Sequence, residues 1–78
     1  MKINILLFGS LLDVTDGKAE IELTDIQDVK MAQKKMLEKY PQLAKYTFRI
    51  AVNQQMIKDN RKLHDNDVVA FLPPFAGG

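Results

Sequence analysis

A chain of 78 residues, 46% hydrophobic and 27% charged, can build one small domain around a single modest core and has no room for a catalytic cleft plus a cofactor fold. Its 11 Lys and Arg nearly balance its 10 Asp and Glu, which removes the electrostatic case for nucleic acid or an anionic membrane as the main partner. The absence of cysteine excludes a disulfide scaffold, a cysteine nucleophile and a thiolate metal site, so stability must come from packing alone.

The first predicted element is a strand over residues 2–8, with Ile3, Ile5 and Leu7 on one face and Leu6 and Phe8 on the other. Apolar residues on both faces predict a central strand buried on both sides. The run is too short for a signal-peptide core or a membrane span, and a cytoplasmic location is expected. Gly9-Ser10 and then residues 13–17 carry turn formers, with Asp16-Gly17 a hairpin signal inside a longer connection. Residues 18–24 alternate Ala19, Ile21 and Leu23 against Lys18, Glu20 and Glu22, the pattern of a strand with one wet face.

Asp28 is a good helix N-cap, and Val29, Ala32, Met36 and Tyr40 follow at helical spacing until Pro41 stops the helix. A capping-box pattern at Thr24-Asp25-Ile26-Gln27 offers an earlier start. Lys30, Lys34, Lys35, Glu38 and Lys39 fall on the outer side, where a solvated face accounts for the charge better than a docking site does. Phe48, Ile50 and Val52 alternate as a minor strand, and Met56-Ile57 extends it after the polar turn Asn53-Gln54-Gln55. Asp65-Asn66-Asp67 is a turn leading into Val68-Val69-Ala70-Phe71-Leu72, a second apolar run suited to the middle of a sheet. His64 and the aspartates at 13, 16, 65 and 67 read as loop and turn residues, with no pair spaced for metal binding or acid–base work.

Two apolar runs at opposite ends and one amphipathic helix between them predict an α+β fold. The first and last strands lie adjacent and parallel at the centre of a mixed sheet, with the helix packed across one face. That arrangement is a β-grasp, or ubiquitin-like, domain, expected over residues 1–74. The last strand ends at Pro73-Pro74, which fix φ and have no N–H to donate, so the chain leaves the sheet there. Phe75, Ala76, Gly77 and Gly78 then form a flexible tail over residues 75–78, whose two glycines can lie against another protein's surface or pass through a narrow channel. A terminus built this way suggests chemistry at its carboxyl group.

The chain resembles the small, sulfur-carrying subunit of molybdopterin synthase. The likeness is strongest in residues 67–78, where a hydrophobic strand, two prolines, Phe75-Ala76 and a diglycine follow one another, and it extends to Ala51-Val52-Asn53-Gln54 and to Glu38-Lys39-Tyr40-Pro41. It departs in Gly9-Ser10-Leu11-Leu12-Asp13, which keeps an acid but lacks the arginine usual after the family's first strand. The resemblance implies a chain that is no enzyme alone and binds no cofactor stably. An adenylating enzyme related to ubiquitin-activating enzymes would join Gly78, preceded by Gly77, to AMP at the expense of ATP. A sulfur donor protein would then convert it to a thiocarboxylate. The tail would deliver that sulfur to a cyclic pterin phosphate in the large subunit of molybdopterin synthase, within a heterotetramer. By the same resemblance, Phe8, Met56 and Leu72 would meet that large subunit, with Pro73, Pro74, Phe75 and Ala76 along the tail and Phe75 as its anchor. Aromatic and Met side chains suit the centre of such an interface.

Three other readings share parts of this pattern. The sulfur carrier of thiazole biosynthesis has the fold and the diglycine, but generally not the double proline. A ubiquitin-like modifier would form isopeptide bonds with lysines, visible as conjugates on a denaturing gel. A plain binding module would survive loss of the two glycines, whereas a carrier would not.

Overall fold

The computed structural model describes residues 1–74. At the centre of its sheet lie β1 (Lys2–Leu7) and β5 (Val68–Leu72), paired in parallel from Asn4↔Val68 to Leu7↔Phe71. β2 (Glu20–Thr24) runs antiparallel to β1 on one side. β3 (Arg49–Val52) runs antiparallel to β5 on the other, with β4 (Gln55–Ile57) beyond it, so the strand order is β2-β1-β5-β3-β4. One helix, α1 (Val29–Lys39), covers one face of this mixed sheet, which is the expected β-grasp.

Period-two side chains from the strands meet the helix in one core. Ile3, Ile5, Leu7, Ile21, Leu23, Ile50, Val52, Val69 and Phe71 are buried from the sheet, and Val29, Ala32 and Met36 from α1. The helix begins where Asp28, in extended conformation, accepts a hydrogen bond on its carboxylate from the Met31 N–H at 2.8 Å. The earlier capping-box start is not used, because Asp25 takes a left-handed φ of 60° and the chain turns there to bury Ile26. Lys30, Lys34, Lys35, Glu38 and Lys39 are all exposed.

Several expectations shift by a residue or more. β1 ends at Leu7, and Phe8 stands beyond it with 43% of its surface exposed. β2 begins at Glu20, with Ala19 exposed. The Thr15 hydroxyl donates to the Lys18 carbonyl at 2.8 Å, closing residues 15–18 as a turn that delays the strand. β3 starts at Arg49, yet Phe48 still packs its ring 4.9 Å from that of Phe71. Gln55 belongs to β4, which leaves a two-residue turn with positive φ at both Asn53 (48°) and Gln54 (71°), the type I′ signature. Two short 3-10 helices, Gly9–Asp13 and Pro41–Lys45, were not anticipated; each buries one leucine, Leu11 and Leu43.

The largest correction concerns the central strands. Leu6, Val68, Ala70 and Leu72 are only half-buried, so these strands are not covered on both sides. A single helix can cover a single face.

The turn before β5 is held by Asp67. Its carboxylate accepts the Asn53 amide at 3.0 Å and the His64 backbone N–H at 2.8 Å. Asn53 in turn accepts the Val68 N–H at 2.9 Å and donates its own N–H to the Val68 carbonyl at 2.8 Å, joining the β3–β4 turn to the start of β5. The hydrogen bond from Asn53, and then that from His64, hold the Asp67 carboxyl below its ordinary value. A depressed carboxylate stabilises the fold above its unfolded pKa, about 4, and loses that contribution as pH falls through its folded value. Wild-type denaturation midpoints should therefore fall on acidification below about pH 4 more steeply than those of Asp67→Asn. At neutral pH that variant should already be destabilised by roughly 1–2 kcal/mol, because an amide oxygen replaces an ionised acceptor and its NH2 opposes a donor.

Candidate functional site

The face of the sheet away from α1 is apolar where the helix side would lead one to expect polar residues. Side chains in register across four strands form a row, Leu6–Ala70–Ala51–Met56, because Leu6 pairs with Ala70, Ala70 with Ala51 and Ala51 with Met56. Two alanines in the middle and larger side chains at the ends make the row concave. Phe8 and Leu72 raise one side, and Val68, Asn53 and Gln54 close the other, giving an open concavity of about 590 Å³. Met56 is 52% exposed at its rim. An open apolar surface of this kind, with two large side chains left in water, is a candidate interaction site.

Three of the residues singled out from the sequence, Phe8, Met56 and Leu72, line this one concavity. Leu6, Ala51, Val68 and Ala70 were not singled out as site residues, although their signal was present. They are the off-phase positions of the strands whose alternate residues build the core. Leu72 and Pro73 are half-buried and Pro74 is exposed, so the chain leaves the sheet at the Phe8 end of the concavity. Phe75, Ala76, Gly77 and Gly78 lie outside the described residues.

The exit is fixed by a close approach. Gly9 has a φ of 58°, and a Cβ built on it would stand 3.0 Å from Pro73 Cγ. Gly9→Ala should therefore cost roughly 1–2 kcal/mol, from the left-handed backbone and from displacing Pro73, read as a lower denaturation midpoint. Adding Pro73→Ala should recover the contact share and leave the backbone share; recovery of nothing would show that the approach is slack.

His64 contributes through its backbone, and its side chain is 84% exposed. Among the described residues there is no group of three or more side chains that could hold a metal ion, and no helix long and apolar enough to cross a membrane.

A ubiquitin-like β-grasp domain with an apolar open sheet face beside the exit of its C-terminal strand is the class that the fold and this surface define. Within that class the chain belongs to the ThiS family, whose model matches residues 5–78. It is 35% identical over 82 aligned positions to the molybdopterin synthase sulfur carrier subunit of Mycobacterium tuberculosis, covering 100% of this chain and 99% of that one. Among solved structures it is similar to a chain of the complex of subunits 1 and 2 of molybdopterin-converting factor from Helicobacter pylori, with 26% identity, a TM-score of 0.76 and 100% of both chains covered. The small archaeal modifier protein 1 of Methanosarcina acetivorans shares the fold, with 24% identity, a TM-score of 0.83, and 99% of this chain and 96% of that one covered.

Proposed function

We propose that this protein is the sulfur carrier subunit of a molybdopterin synthase. The observation that carries the reading is the apolar concavity beside the exit of the tail, together with full-length likeness to a carrier subunit of that name. The concavity docks on the large subunit, and Pro73 and Pro74 send residues 75–78 into the partner's active site. Fixing the tail this way turns a bimolecular encounter into a positioned one, which is the source of much of the rate.

A carboxylate is a poor electrophile, because its charge is delocalised and its leaving group would be oxide. Activation at Gly78 therefore comes first. An adenylating enzyme forms an acyl-adenylate there from ATP and releases pyrophosphate. Sulfur at the sulfide level, delivered by a donor protein, forms a bond to the Gly78 carbonyl carbon as the bond to AMP breaks, and leaves a thiocarboxylate, an ionised nucleophile at neutral pH that needs no cysteine in the carrier. The acid–base and phosphate-binding groups belong to the partner, and the carrier is not an enzyme alone.

Intact mass measurement of the protein isolated from cells tests the carrier reading. Part of the population should have one oxygen replaced by sulfur at the C-terminus, and a wholly oxygen-terminated population from cells actively making cofactor would refute it. Family membership also accommodates the thiazole pathway's carrier, which the same mass change would fit. Binding to the large subunit of molybdopterin synthase, measured by calorimetry, separates the two.

A further inference from the structure

A second concavity, about 560 Å³, lies around the edge of the sheet from the apolar one, and Met56 lines both. Its floor is apolar, from Val29, Phe48, Ile50 and Ile57, while Lys30, Arg49 and Lys58 stand around it with Asp59 as the one carboxylate. Three cations against one anion leave an excess of positive charge, and among the described residues none of the three cations is in an ion pair. The wall is firmly built. Lys30 N–H donates to the Asn60 side-chain oxygen at 2.9 Å and Val29 N–H to the Arg61 carbonyl at 3.0 Å, tying residues 60–61 to the start of α1.

Exposed cations that lack internal partners and border an apolar floor fit a segment carrying carboxylates beside apolar side chains. Because Met56 joins the two concavities, one partner covering the open sheet face can reach this groove without a gap. We infer that the docking surface extends past Met56 into the cationic groove, and that the partner seated on the apolar face carries an acidic, partly apolar segment there. The inference rests on the sulfur-carrier reading for the partner's identity. Charge at this end fixes which way round the partner sits and speeds the encounter, while the apolar face supplies the lasting contact.

The test uses the full chain and the large molybdopterin synthase subunit of the same organism, with association followed by stopped flow at low and high salt. Arg49→Glu with Lys58→Glu should slow association about tenfold at low salt and flatten its salt dependence. Lys34→Glu with Lys35→Glu removes the same charge from the exposed side of α1, outside the groove, and should slow it less than about threefold. Equal losses from the two pairs, with wild type binding, would overturn the cationic groove alone and leave the carrier reading standing. No binding by the wild type would overturn both. Thermal melts of both double variants establish that each is folded, and the milder Arg49→Gln with Lys58→Gln should show the same order of effects at reduced size.

Discussion

Deleting Gly78 should leave the domain as stable as the full chain and reduce sulfur delivery at least 100-fold. The stability half of this expectation follows from where the core ends. Among the described residues the buried core side chains end at Phe71, and glycine has no side chain to bury, so the deletion leaves every core side chain in place. The activity half follows from reach. On the sulfur-carrier reading, shortening the tail by one residue withdraws the reacting carboxyl by up to about 3.5 Å, and a misplacement of about 1 Å can already cost a factor of about 100. Adding one residue beyond Gly78 should be equally damaging, since the carboxyl is then carried past the reacting position. Denaturation curves, together with cofactor formation in cells whose own carrier has been removed, measure the two halves separately. Undiminished cofactor formation with either variant, its terminus checked by mass to be untrimmed, would end the carrier proposal. A plain binding module would tolerate both changes.

The sequence made the order of strands and helix legible because each signal was local. Alternation at Ile3, Ile5 and Leu7, an N-cap at Asp28 and a stop at Pro41 depend on neighbours a few residues away. The parallel pairing of the first and last strands followed from having two apolar runs and one helix. What could not be read was which apolar positions a single helix leaves uncovered. Leu6 and Val68 look the same in sequence whether a second layer or a partner covers them, and only the three-dimensional arrangement reveals that the described residues supply no second layer. Leu11 and Leu43 escaped notice for a different reason. Each is one buried leucine in a five-residue 3-10 helix, too short to produce any periodicity. The turn at Asn53-Gln54 was expected, but the left-handed backbone of Gln54 leaves no trace in the sequence, because glutamine carries no turn signal of the kind glycine gives.

Neighbouring residues of β5 should separate folding from docking. Phe71 points into the core, fully buried and stacked near Phe48, whereas Leu72 faces the apolar concavity and is half-buried. Phe71→Ala should destabilise the domain by about 3–5 kcal/mol through lost burial and the cavity left behind. For a chain of 78 residues, whose total stability is of the order of 4–12 kcal/mol, that is a large share, and a substantial unfolded fraction is expected at growth temperature. Leu72→Ala removes less buried surface and should cost only about 1 kcal/mol in folding. Its effect belongs to the complex. A large apolar side chain that a partner buries in a docking face is worth about 2 kcal/mol, so affinity for the large subunit should fall roughly 30-fold. Urea denaturation and calorimetry on the two variants give opposite rankings if alternate residues of this strand serve different ends. Comparable stability losses with unchanged affinity for Leu72→Ala would mean that the open face, despite its apolar row, is not where the partner sits.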